Sequence, residues 1–203
     1  MPNVQYKQTY PNSCGASALL CAAMELGVKQ RPSNRAWPLW MASAPMADDK
    51  TTETTLYSVT SGGGGTPPLP SSGYSLPSNI GECASVLGLE CTVHVPTWSV
   101  ISIVLKTAYS AEMDAARRAG MTIRDTEMPK PGARERGLRV FRVGEDKALS
   151  VATGLHWVMT RPDGSVMDPA AGIDVNSIEA LAQVQKGMGA AYVDTGIGII
   201  LKN

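Results

Sequence analysis

The first element the pattern predicts is a helix over residues 14–26, CGASALLCAAMEL, where small and apolar residues run almost all the way round the helical projection. A helix with no polar face is one that the fold buries on every side. Asn12 and Ser13 stand before it as candidate caps, and Gly27 supplies its stop. Residues 30–50, with Trp37, Pro38, Trp40 and Pro45, read as an irregular stretch. Residues 61–80, SGGGGTPPLPSSGYSLPSNI, are too rich in Gly, Pro and Ser to pack as an element. They predict a long loop, either a passive linker or a flap over a site. A short helix over 79–88, a strand over 90–95 and a longer helix within 97–119 follow, the last stopped by Gly120.

Beyond a loop at 128–137 the periodicity changes. Residues 138–143, LRVFRV, alternate as a half-buried strand does. Residues 153–160 continue the pattern into a turn at Arg161-Pro162-Asp163-Gly164, and 165–168 return from it. Asn176-Ser177-Ile178-Glu179 is a capping-box candidate opening a helix to about Lys186. A last strand, AAYVDTGIGIIL, closes the chain. Helices come first and an antiparallel sheet afterwards, which is the α+β class; 203 residues are expected to form one domain, 1–203.

Composition narrows the function. Eighteen Lys+Arg balance eighteen Asp+Glu, so the cationic surplus that a nucleic-acid binder or an electrostatic membrane binder needs is missing. No apolar run is long enough to span a bilayer, and Met1-Pro2-Asn3-Val4-Gln5 lacks the pattern of a signal peptide. The expected location is the cytoplasm of the producing cell, with export by a signal-peptide-independent system as an extension. The four Cys (14, 21, 83 and 91) follow neither a zinc spacing nor a disulfide scaffold, so neither metal nor cofactor is expected. The cluster Arg134, Arg136, Arg139 and Arg142, with Glu135, Glu145 and Asp146 nearby, reads as a solvated surface.

Reactive chemistry then concentrates on few residues. Cys14 opens the buried helix, where unpaired amides and the positive end of the dipole favour a thiolate. Cys21 falls two turns later on the same face and reads as core, while Cys83, Cys91 and His94 have no activating neighbours in sequence. Gln8, preferred over Gln5, could join the Cys14 N–H in an oxyanion hole. If Arg161 and Ser165 flank a three-residue turn, His156 stands opposite Ala170, and Asp168 becomes its diagonal neighbour on one sheet face. A carboxylate there can fix the tautomer that a nucleophile needs. Asp163 is used by the turn, and Asp174 lies beyond the strand. Trp157 either shields the pair from water or packs in the core.

The segment Gln8-x5-Cys14-Gly15-Ala16-Ser17-Ala18-Leu19-Leu20, with Gly154-Leu155-His156-Trp157-Val158 and Asp168-Pro169 downstream, resembles the papain-like cysteine peptidase superfamily. It is closest to the bacterial branch typified by bacteriocin-leader peptidases. The Cys-to-His interval also falls in the roughly 130–150 residues usual for papain relatives. The resemblance implies a catalytic helix packed on a C-terminal antiparallel sheet. It also implies Cys14 as nucleophile, His156 as base, Asp168 as orienting acid and Gln8 as oxyanion donor. The expected activity is cleavage of a peptide or amide bond in a protein or peptide substrate through a thioester, in a bacterial effector or toxin. Glutamine deamidation, transglutamination and cell-wall peptide amidolysis share that thioester. A non-catalytic binding or immunity-type module on the same fold is the alternative from another class.

Overall fold

A computed structural model describes residues 3–32, 43–62, 73–96, 110–145 and 154–203. Helix α1 (Cys14–Glu25) buries eleven of its twelve residues. Its Ala, Gly, Ser and Cys side chains let neighbours approach the axis from all sides. Gly15 shows how tight the approach is: a Cβ there would stand 2.4 Å from Ser75 Cβ. Strands β1 (Gln30–Pro32) and β2 (Ser43–Pro45) form a small antiparallel ribbon inside the stretch expected to be irregular. Helix α2 (Lys50–Thr60) has no counterpart among the elements read from sequence. The Asp49 side chain caps it, accepting from Thr52 N at 2.7 Å.

Helix α3 (Pro77–Val86) starts two residues earlier than expected, with Pro77 in its first turn. The predicted long loop therefore ends at about residue 76. Its centre, residues 63–72, lies outside the described residues, and so does the flap reading. Strand β3 (Glu90–His94), helix α4 (Ser110–Arg118) and strand β4 (Thr122–Arg124) come next. The first part of the helix expected within 97–119 also lies outside the described residues. Strands β5 (Glu135–Glu145), β6 (Gly154–Thr160), β7 (Val166–Asp168) and β8 (Ile173–Val175) precede helix α5 (Ile178–Gly187) and the last strand, β9 (Ala190–Lys202). Ser177 caps α5 by accepting from Ala180 N at 3.1 Å, one residue later than the Asn176-to-Glu179 box spacing predicts.

The main sheet runs β4-β3-β9-β5-β6-β7-β8. Its pairings are antiparallel except β3 with β4, which is parallel. The α+β expectation of a helix packed on a mainly C-terminal sheet holds; the addition is that β3 and β4, from the middle of the chain, extend it into a mixed sheet. Alternation along the strands divides the core in two. Leu138, Val140, Trp157, Met159 and Met167 face α1, whereas Phe141, Val158 and Val166 pack with Leu181 of α5 on the opposite side.

Buried charge ties these layers together. Glu25, at the end of α1, accepts Arg161 Nε at 2.8 Å and Arg136 Nε at 2.6 Å. Arg161, only 2% exposed, also reaches Asp174 at 2.9 Å and the Val4 carbonyl at 3.1 Å. Arg139 pairs with Asp194 of β9. Arg136 and Arg139 are thus not the solvated residues that their local charge balance suggested, because their partners lie far away in the chain. Removing one member of a buried pair strands the other charge. Arg161→Met is expected to lower the unfolding free energy by about 3–5 kcal/mol in urea titration. A loss below about 1 kcal/mol, typical of surface pairs, would mean the lock contributes little.

Candidate active site

The β6–β7 hairpin takes the register its turn sequence predicts. Thr160 pairs with Val166 and Met159 with Met167. Arg161 N donates to Ser165 O at 3.0 Å, Gly164 N donates to Arg161 O at 3.0 Å, and Gly164 adopts φ +94. This is a type I turn followed by a left-handed residue that glycine adopts without strain. Asp163 is held in the turn, accepting from Ser165 N at 2.9 Å. His156 lies four residues before Thr160 and Asp168 two after Val166; as diagonal neighbours on one sheet face, they bring His156 Nε2 within 2.7 Å of Asp168 Oδ1.

Cys14 meets this hairpin from α1. Its Sγ lies 3.5 Å from the backbone N of Trp157, the residue that follows His156, close enough for the sulfur to act on the imidazole. Cys14 is 2% exposed and His156 6%. Burial alone would push the imidazole toward its neutral form. The hydrogen bond to Asp168, helped by the neighbouring Cys14, outweighs it and raises the His156 pKa to about 9. The surroundings of His156 thus favour its charged, imidazolium form. Trp157 does two things at once: its ring packs into the core, and its indole N donates to Ser75 O at 3.0 Å.

The helix start differs from its expected form. Ser13 makes no side-chain cap. Its Oγ lies 2.5 Å from Glu53 Oε1 and 2.9 Å from Tyr10 O, so its one proton serves these acceptors instead. The first-turn amides of α1, among them that of Cys14, are left without a side-chain acceptor from the cap and can face an oxyanion. Gln8 N donates to Pro169 O at 2.9 Å, which holds Gln8 beside Asp168. Its Nε2 donates to Tyr10 O at 2.9 Å and Pro11 O at 3.0 Å, and its buried Oε1 has no partner. The structure thus brings Gln8 to the hairpin that carries Asp168, but with its amide protons turned to the chain's own carbonyls.

Three residues escape sequence reasoning. Glu53 of α2, completely buried, accepts from Tyr6 Oη at 2.8 Å and Thr9 N at 2.8 Å, besides its contact with Ser13. It shapes the segment that carries Gln8. Gln185 of α5 donates to Asp168 Oδ2 at 2.6 Å. Tyr192 of β9 sets its ring edge-on to His156, with centroids 5.5 Å apart, and burial together with the nearby Asp168 charge raises the pKa of its phenol. A polar residue on a helix gives no local signal of such distant partners. The other thiols are unsuited to attack: burial raises the pKa of Cys21 and Cys83 well above the usual thiol value and that of Cys91 to about 12. Burial and the nearby Arg124 charge lower the His94 pKa, and this side chain bonds Thr126 Oγ1 at 3.0 Å, away from the cluster. Asp174 binds Arg161 and takes no part.

A thiol, an imidazole and a carboxylate joined in that order form the set that acyl transfer through sulfur requires. Comparison with known proteins agrees. The model of the family described as "Invasion plasmid antigen J, cysteine protease" matches residues 6–203. The cysteine protease IpaJ of Shigella flexneri is 33% identical over 205 residues, an alignment covering 97% of this chain and 77% of that protein. The chain belongs to the invasion plasmid antigen J family of cysteine proteases.

Proposed function

We propose that Cys14, His156, Asp168 and Gln8 are the catalytic set with which this cysteine protease cuts a peptide or amide bond through a thioester. The observation that carries the reading is the placing of Cys14 Sγ, 3.5 Å from the backbone N of Trp157, against the neighbouring His156, whose ring is hydrogen-bonded to Asp168. Cys14 Sγ attacks the substrate carbonyl carbon; the C–S bond forms as the carbonyl π pair moves to oxygen. The Cys14 N–H and the Gln8 amide donate to that oxyanion. For this, one Gln8 proton turns from Tyr10 O or Pro11 O to the substrate. Collapse of the intermediate breaks the C–N bond, and the proton on His156 passes to the leaving amine. Water, deprotonated by the now neutral His156, then attacks the thioester carbon; collapse breaks the C–S bond, releases the acid and returns the Cys14 sulfur as a thiolate beside the reprotonated His156.

The finer placement belongs to the same proposal. Within the papain-like peptidases, the bacteriocin-leader-like branch is favoured by Gln8-x5-Cys14-Gly15 and His156-Trp157-Val158 with Asp168-Pro169. Residues 1–203 act as one domain. The setting is that of a bacterial effector, made in the producer's cytoplasm, exported without a signal peptide and acting on proteins of another cell. Support for that setting is the likeness to a relative whose family carries the name of an invasion antigen. None of the described helices is long and apolar enough to cross a membrane.

Cys14→Ala is expected to abolish turnover, by at least roughly 10³-fold, and to remove the acyl-enzyme adduct seen by mass spectrometry of wild-type protein quenched with acid. Turnover retained in that variant rejects the nucleophile. Gln8→Ala is expected to lower kcat roughly 100-fold with little change in KM. A pure KM effect would reassign Gln8 to substrate binding.

A further inference from the structure

The Asp168 carboxylate is completely buried, so its oxygens depend on donors from the protein. His156 Nε2 at 2.7 Å and the Ala170 N–H at 2.9 Å both fall on Oδ1. Oδ2 receives Gln185 Nε2 at 2.6 Å, from a helix on the far side of the hairpin. A carboxylate only accepts, so the group facing it must be the amide NH2 of Gln185. Gln185 is itself buried, at 5% exposure, although its neighbours Val184 and Lys186 are exposed. Gln185 lies one turn beyond the buried Leu181, on the face of α5 that packs against the sheet, so its amide is taken out of water there and needs a partner. Its contact opposes the His156 bond across the carboxylate and fixes the plane of the ring that Asp168 orients.

We infer that Gln185 is a positioning residue of the active site, a neutral donor from α5 that stabilises the Asp168 anion and so sets how tightly the His156–Asp168 pair holds its proton. The inference rests on the proposed roles of His156 and Asp168. The physical consequence has a definite sign. When His156 loses its proton, Asp168 is left as an uncompensated buried anion, and a donor on Oδ2 stabilises that state more than the paired one. Removing the donor therefore makes the pair hold its proton more tightly. A proton held more tightly is delivered less readily to the leaving amine. The other groups facing the pair are Cys14 from α1 and Tyr192 from β9, and both remain in place.

The test is NMR titration of the His156 imidazole in the full chain, together with kcat and KM, for the near-isosteric Gln185→Met and for Gln185→Lys. In Gln185→Met the His156 midpoint is expected to rise above its wild-type position. Its kcat is expected to fall roughly 10- to 100-fold, the rate equivalent of one hydrogen bond to a charged group, with KM within about twofold. In Gln185→Lys an ammonium beside Asp168 lowers the midpoint instead. Leu181→Ala serves as a control, since it opens a hole beneath α5 without removing the donor. Midpoints unchanged in both Gln185 variants, or a midpoint that falls in Gln185→Met as it would from mere loosening, overturn the inference. So does a Leu181→Ala titration that reproduces the rise. The midpoints need no turnover, so failure here is separable from failure of the catalytic reading, which Cys14→Ala decides.

Discussion

A carboxylate at the buried end of α1 and a guanidinium at the root of the β6–β7 turn hold the working parts of this protein in one frame. Glu25 and Arg161 are almost without solvent contact and only 2.8 Å apart. Low exposure makes such a pair unforgiving, since neither partner can be solvated if the other moves. One end of the lock is the helix that begins with Cys14. The other is the hairpin that bears His156 and Asp168. Arg136 on the same carboxylate brings in β5, and the Val4 carbonyl on Arg161 brings in the N-terminal segment leading to Gln8. The lock sits at the far end of α1 from the sulfur, so it fixes the helix without adding charge to the site.

That frame permits a candidate active site with almost no exposed surface. A buried imidazole is ordinarily neutral, and a buried carboxylate is ordinarily costly. Placing them 2.7 Å apart, with a further donor on the carboxylate, reverses the tendency of the imidazole. The sulfur beside the imidazole adds to the same effect. Specificity of geometry follows from small residues: Gly15 lets Ser75 approach α1, and the Ser75 carbonyl in turn receives the Trp157 indole beside the sulfur. Packing and electrostatics converge on one short stretch of β6.

What the sequence disclosed and what it hid have physical causes. Helix α1 was legible because its composition has no polar face, and the hairpin register because Pro-Asp-Gly permits few turns. The Cys14, His156 and Asp168 juxtaposition followed from those two features and a family resemblance. Helix α2 was hidden because KTTETTLYSVT is rich in β-branched residues of weak helix propensity; its Asp49 cap and its burial against α1 override that preference. Glu53 and Gln185 were hidden because their roles are defined by partners 40 and 17 residues away respectively. Arg136 and Arg139 were misread for the same reason: local charge balance says nothing about Glu25, 111 residues distant, or Asp194, 55 residues distant.

The central claim is that Asp168 and Cys14 keep His156 protonated at neutral pH, and the chain's two histidines make it directly measurable. Nitrogen-15 NMR titration of the imidazoles in the wild-type protein should show one midpoint near 9, assigned to His156 by its absence in His156→Ala. His94, held neutral by burial, should titrate below the ordinary histidine value. A His156 midpoint at or below the ordinary value of about 6.5 would contradict the account, because the imidazole would then be neutral where the mechanism needs its proton.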